Sequence, residues 1–388
     1  HNLEVTQAEL ARCREAIRSG TIWELAEQRS HASPFLREAF VWLQDQLDVP
    51  DDGPVGESVL RLIASTDPLR QGGERLGDDI EYRPHILHMQ ALLAMRWRVP
   101  GSWWDSSIGS PERVVLVEGA PPPWRVTAIE AAISHLIEEP RTVVLVSTPI
   151  GPIPFSLEDL SPWCHLTGPE VIWESAPVDS DSSGQLEDLG LSGFPLTRVN
   201  PEEEYDSDPS KRAEVRKWID RCSIVDKLSV LCALHPLDGC KITDGMTSRR
   251  SRTDRIVNVY SGDEHILSPR LTDGGVSLTV EGARRINELN ASPPPEFGAD
   301  PQEEEFPGTP RVCIIDDAVP FVGQGRNVMH GYISGADPHP VPGQPCLVVN
   351  SEGDLVAHGT PLTSHLEMAF LAKGVAVKVR EGAMKQSN

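Results

Sequence analysis

Lysine is scarce in this chain. Only 7 Lys accompany 28 Arg, and these 35 basic residues face 58 acidic ones, giving a net charge of −23 over 388 residues. Aromatic residues are also few, at 5%. No apolar run approaches the ~18–20 residues that a membrane-spanning helix needs, which excludes an integral helical membrane protein. The chain starts at His1, without Met and without the basic flank, apolar core and small-residue cleavage site of a signal peptide. Secretion therefore has no support, and His1 reads as a cut end. Cysteines number seven, at positions 13, 164, 222, 232, 240, 313 and 346. No two have Cys-x-x-Cys spacing, so neither a self-contained zinc site nor a thioredoxin motif is indicated, and buried reduced thiols are expected.

Recognisable catalytic signatures are missing as well. There is no Gly-x-x-x-x-Gly-Lys-Ser/Thr loop, no Gly-x-Ser-x-Gly elbow and no His-Glu-x-x-His pair. Gly323-Gln324-Gly325-Arg326-Asn327-Val328 begins like a dinucleotide fingerprint but has Val at the third glycine. His85 and His88 share a helix face, with no third ligand nearby. By its own motifs the chain carries no active site.

An excess of Asp and Glu over Lys is one way proteins stay hydrated in a salt-rich cytosol. The expectation is a halophilic, cytoplasmic protein; an ordinary acidic protein is the other reading. Disorder is excluded for most of the chain because Val, Leu, Ile and Trp recur in organised blocks.

The length implies two to four domains. Residues 1–48 read as three helices: the first stops at Gly20, the second begins at Ile22, the third follows Pro34. Residues 57–168 alternate helix, strand, helix and strand, with buried strands at 114–117 and 143–146, the pattern of a small α/β layer. Residues 169–210 read as an acidic linker, since 170–210 holds 11 acids against one Arg. Residues 211–290 read as a small α+β domain of reversed sign: 211–285 carries 14 Lys and Arg against 10 Asp and Glu. It opens with an amphipathic helix (Val215, Trp218, Ile219, Cys222), and strand-like runs follow at 256–260 and 276–280. A second acidic linker covers 291–310. Residues 311–382 show five or six short strands and one helix between Gly, Pro and Asp turns, the pattern of a small closed β-barrel.

Arg249, Arg250, Arg252 and Arg255 cluster just before the run at 256–260. Guanidinium forks bind phosphate bidentately and stay charged at any working pH. Two readings stand: a phosphate-binding run, or a solvated surface run paired with Asp244 and Asp254. Trp97, Trp103, Trp104 and Trp124 likewise read either as core or as a stacking surface.

Several blocks resemble a known family. His1-Asn2-Leu3 with Val5-Thr6, then Ala16-Ile17-Arg18, Gly20 and Trp23-Glu24-Leu25, is similar to the end of the catalytic barrel of tRNA-guanine transglycosylases. Thr148-Pro149-Ile150-Gly151-Pro152-Ile153-Pro154, the stretch 249–260 and Glu264-His265-Ile266-Leu267-Ser268 resemble the extension domains of the archaeal enzymes that begin archaeosine synthesis. Ala318-x-Pro320-Phe321-Val322-x-x-Gly325-Arg326-Asn327-Val328, with Val348-Val349 and Gly374-x-Ala376-Val377-Lys378-Val379, resembles a PUA domain. A sister enzyme, archaeosine synthase, carries a Pro-Cys-x-x-x-Lys-Pro-Tyr motif. The comparable stretch here, Val117-Glu118-Gly119-Ala120-Pro121-Pro122-Pro123-Trp124, lacks both Cys and Lys.

The fold implied is α+β and multidomain: a helical barrel tail, a small α/β domain, a small α+β domain and a C-terminal PUA-like barrel. The function implied is the tRNA-binding portion of a transglycosylase that exchanges a D-arm guanine for preQ0. The other readings are a non-catalytic PUA-type tRNA-binding subunit or a degenerate archaeosine synthase relative. The resemblance implies that the catalytic aspartates lie upstream, so that no catalytic residue is assigned in this chain. It also implies a zinc site with His1 as one ligand and three upstream cysteines as the others. The implied tRNA contacts are Arg249, Arg250, Arg252 and Arg255 for phosphates. For the acceptor end they are Gly323, Gly325, Arg326, Asn327, Lys378 and Arg380. The implied partners are tRNA and either a separate catalytic barrel or a second copy of the chain.

Overall fold

The computed structural model describes residues 2–47, 83–99, 111–118, 125–148, 151–160, 186–187, 189–200, 208–252, 254–290, 292–297 and 305–384. Helices α1 (Asn2–Ser19), α2 (Ile22–Ser30) and α3 (Pro34–Leu47) form the N-terminal hairpins. Gly20, at φ +73°, makes the left-handed turn between the first two, a conformation that favours glycine. Their own core is small. Trp23 and Phe40 pack with ring centroids 4.9 Å apart, and Leu87 of α4 (Pro84–Arg96) leans against them. Buried Arg83 donates to Glu24 at 2.6 Å and joins the hairpins to α4.

The next layer is a four-stranded sheet in the order β3-β2-β1-β4. Strands β1 (Arg113–Val117) and β2 (Thr142–Thr148) are parallel and connected through α5 (Arg125–Glu138). Val114, Val115, Leu116 and Val117 are all buried, as expected for a parallel strand covered on both faces. β3 (Gly151–Pro154) pairs antiparallel with β2, and a 3-10 turn, Phe155–Leu160, follows. The stretch 169–210 is not linker throughout. Leu196–Val199 forms β4, parallel to β1, because hydrogen bonding to a buried strand compensates for its weak local apolar content.

Helix α6 (Pro209–Cys232) is capped by Asp208, which accepts from Ser210 N at 2.8 Å. It is amphipathic only in its first half. From Ile219 to Cys232 nearly every side chain is buried, since the helix runs between the α/β layer and a second sheet. That sheet is an antiparallel meander of β5 (Met246–Arg250), β6 (Ile256–Ser261), β7 (Glu264–Pro269) and β8 (Val276–Leu278), flanked by α7 (Pro236–Ile242) and α8 (Val280–Leu289). β5 carries two of the clustered arginines and lies outside the two runs that the sequence suggests. One apolar cluster runs without a break from Ile86 to Ile286, so the two central blocks share a core.

The C-terminal region has its own core around Val312, Val348, Val356 and Val377. Its six strands are β9 (Arg311–Ile314), β10 (Val328–Met329), β11 (Ile333–Ala336), β12 (Cys346–Val349), β13 (Leu355–Pro361) and β14 (Val375–Gly382). The order is β10-β14-β13-β12-β9-β11. The two outer strands are consecutive in sequence and separated only by the 3-10 turn His330–Tyr332, so the sheet nearly closes into a barrel. Short helices α9 (Val319–Val322) and α10 (His365–Phe370) fill its ends, the latter with a Ser364/Glu367 capping box. Hydrogen bonds from Arg270 to Gly343 O (3.0 Å), Asn287 to Gly353 O (3.0 Å) and Thr309 to Cys232 O (2.9 Å) tie the barrel to the central core.

Candidate nucleic-acid interface

The loop after α9 lies against β14. Asn327 Oδ1 accepts the Val379 amide at 3.1 Å, and the Met384 amide donates to Gly323 O at 2.9 Å. Gly325 has φ +95°, and a Cβ there would make only an ordinary contact with Gly382 N at 4.0 Å. Gly323 is different. It is buried, and a Cβ there would meet Val319 O at 3.0 Å and displace the Met384 side chain, so internal packing already favours a glycine here. Gly323 and Asn327 thus shape the loop, while Arg326 projects from it exposed. Lys378 and Arg380 are both exposed on β14, where the ladder with β13 shifts register between Val379 and Glu381 and leaves Arg380 as the bulged residue. Phe321, 59% exposed, accepts the Arg326 amide at its carbonyl (3.2 Å). The barrel's buried histidines add no charge here: burial lowers His330 and brings His358 down to about 4. The positive charge of this surface is carried by Arg and Lys.

The four clustered arginines do not act as one group. Arg249, on edge strand β5, and Arg252, in the following turn, are exposed and have no side-chain partner among the described residues. Arg250 forms ion pairs with Asp220 of α6 and with Asp254, and Arg216 also pairs with Asp254. Arg250 is thus paired with Asp254, as one of the two readings has it, and also with Asp220 of the amphipathic helix, a contact that the local sequence does not reveal. Arg255 is half-buried and lines a shallow cavity with Asp159, Ser223, Lys227 and Leu271.

Beside Arg249 the sheet carries a polar and aromatic group that the sequence reading misses. Arg249 faces Asn258 across the β5–β6 ladder, Thr247 faces Tyr260, and Tyr260 faces His265. The Tyr260 and His265 rings lie 5.1 Å apart at 33°. Asn258 donates to Tyr260 OH at 3.3 Å, and Ser268 donates to Asn258 Oδ1 at 3.1 Å. The alternation of Asn258 and Tyr260 with buried Val259 was the available signal.

One ion pair lies deep in the core. Lys227, 2% exposed, donates to Asp159 at 2.5 Å and to Gly274 O at 2.6 Å. Burial pushes the Asp226 carboxyl up to about 7, partly opposed by hydrogen bonds from Ser156 (2.5 Å) and the indole of Trp97 (3.4 Å). Trp97 is therefore core; Trp103, Trp104 and Trp124 lie outside the described residues. Cys222, Cys232, Cys313 and Cys346 are buried free thiols, and burial pushes Cys232 up to about 12. Burial brings His88 down to about 3. His1, the implied zinc ligand, lies outside the described residues, and among those described no three His, Cys, Asp or Glu side chains gather into a metal-holding group.

Two family models match parts of this chain. Residues 237–294 match the patch-forming domain C2 of tRNA-guanine transglycosylase, and residues 310–383 match the PUA domain. The tRNA-guanine(15) transglycosylase of Methanothermobacter thermautotrophicus is 26% identical over 388 residues, covering 98% of this chain and 53% of the relative. That of Methanocaldococcus jannaschii is 23% identical over 403 residues, covering 98% of this chain and 52% of the relative. The chain thus spans about half the length of the curated relatives it matches. Among solved structures, a hypothetical protein from Pyrococcus horikoshii is 20% identical at a TM-score of 0.33, covering 43% of this chain and 92% of that one.

Proposed function

We propose that this chain, which belongs to the tRNA-guanine(15) transglycosylase family, is the tRNA-docking portion of an enzyme exchanging a D-arm guanine for preQ0 in archaeosine biosynthesis. The observation that carries this is the joining of Arg326 to the exposed pair Lys378 and Arg380, through the Asn327–Val379 hydrogen bond, in a chain of net charge −23. Fixed cations held on a rigid β surface suit phosphate and sugar contacts near an RNA end. Arg249 and Arg252 offer a second set of contacts.

The division of labour has a physical motive. A base inside folded tRNA must leave its stack before chemistry, at a cost of a few kcal/mol. Contacts made elsewhere on the tRNA can offset that cost. The chemistry falls to a catalytic barrel, on the same polypeptide or another. The exposed apolar residues Leu3, Leu10, Ile17, Phe35 and Trp42 of α1–α3 suit docking to it.

The test is tRNA binding by this chain across a salt series, with intact tRNA, tRNA trimmed of its CCA end, and an Arg326/Lys378/Arg380→Ala variant. The expected result is weaker binding from trimming and from the substitutions, with no further loss when both are combined. Absence of binding at every salt concentration would remove the physical basis of this function.

A further inference from the structure

On the sheet face formed by β5, β6 and β7, the Tyr260/His265 ring pair lies beside the Arg249 contact and has no structural task of its own. We propose that this face holds an unpaired RNA nucleotide, with the base stacked on the Tyr260/His265 pair and the adjoining phosphate on Arg249. This rests on the tRNA-docking reading and assigns it a second, separate contact.

Three observations support the site. First, the register places Arg249, Asn258, Tyr260 and His265 side by side on one face, while Val259 and Leu267 point into the core. Second, the ring pair is fixed before any ligand arrives. His265 Nε2 lies 3.1 Å from both Leu267 O and Ser268 Oγ. A carbonyl can only accept, so Nε2 carries the proton. Ser268 passes its own hydrogen to Asn258, and Asn258 donates to Tyr260 OH. His265 Nδ1 is left without a partner among the described residues, free to accept from a ribose hydroxyl or a base amine. Third, Arg249 is exposed with no carboxylate on it among the described residues, although acids outnumber bases in the chain. In such a chain an unpaired guanidinium beside an aromatic pair is complementary to a nucleotide, whose phosphate is anionic and whose base has a π-face. Stacking also suits recognition at high salt, because it does not depend on counterion release as phosphate contacts do.

The experiment measures binding of a whole tRNA transcript by fluorescence anisotropy across a KCl series. The wild-type chain is compared with Tyr260→Ala, Tyr260→Phe, His265→Ala, Arg249→Ala and Lys378→Ala. Tyr260→Ala is expected to weaken binding about 5- to 100-fold at every salt concentration, with the salt slope unchanged. Tyr260→Phe keeps the ring and is expected to stay within about twofold of wild type. Arg249→Ala is expected to lower the slope of log K against log salt by about one. A single-stranded oligonucleotide should compete, and a duplex RNA of equal length should not. If Tyr260→Ala lowers the unfolding temperature, Tyr260→Leu, which keeps apolar volume but no π-face, should show the same loss of affinity. Binding by Tyr260→Ala and His265→Ala within twofold of wild type, while Lys378→Ala is impaired, overturns this site and leaves the docking function intact. Equal competition by duplex RNA also overturns it. No binding by wild-type chain at any salt overturns both.

Discussion

Gly382 gives the most direct test of whether the loop at 323–327 belongs to the tRNA surface. A Cβ at Gly382 would lie 2.2 Å from Gly323 O, 2.6 Å from Gly323 C and 2.6 Å from Gly325 N. All three are backbone atoms, so no side chain can rotate away. Ordinary contact needs roughly 3.5 Å between such atoms, so Gly382→Ala must displace the loop from β14 by about 1 Å. The displacement strains the Asn327–Val379 and Met384–Gly323 hydrogen bonds. Overpacking of this kind costs about 1–3 kcal/mol. It also moves Arg326 relative to Lys378 and Arg380. A fair control must strain the barrel equally but elsewhere. Gly335 on β11 supplies it, since a Cβ there would meet Pro295 O at 2.0 Å. Both variants are expected to lower thermal stability, but only Gly382→Ala should weaken tRNA binding, by fivefold or more in anisotropy titrations. If a folded Gly382→Ala binds like wild type, or if Gly335→Ala loses as much affinity, the loop is not part of the interface.

Three further outcomes are expected. Lys227→Met leaves the Asp159 carboxylate without its buried ammonium and should cost about 3–5 kcal/mol in urea unfolding. Adding Asp159→Leu should recover most of that loss, and a double variant no more stable than the single one would contradict the pairing. Asp226, with a folded-state pKa of about 7 against about 3.9 when unfolded, binds its proton more tightly in the native state. Its contribution is therefore fully present below about pH 4 and lost as pH rises through about 7. Asp226→Asn should be more stable than wild type above pH 7 by up to about 4 kcal/mol. The difference should shrink as pH falls, and unfolding curves for the two proteins from pH 4 to 8 check it. Arg249→Ala should leave the melting temperature unchanged while weakening tRNA binding. Arg250→Ala removes the partner of nearly buried Asp220 and should lower the melting temperature. The reverse assignment in melting and binding assays would refute the distinction drawn between these neighbours.

Much of the architecture is legible locally. The three N-terminal helices, β1, β2 and the short strands of the C-terminal barrel follow from apolar periodicity and from Gly and Pro positions, which act over a few residues. Composition alone shows the reversal of charge between 211 and 285, and with it where to look for cations. Other features depend on partners distant in the chain. β4 forms only because β1 offers it an edge. Arg250 and Arg249 are neighbours of identical chemistry, yet the bulge in the β5–β6 ladder between them helps turn one toward Asp220 and leaves the other exposed. Tyr260 and His265 become a pair only through the β6–β7 register. Sequence determined most of the elements, the excess of acid and the family blocks, because these are properties of short segments. Which arginines are free, which glycine is held by packing and which rings meet were decided by tertiary structure, because a side chain's partner is set by burial and strand register, and neither is local.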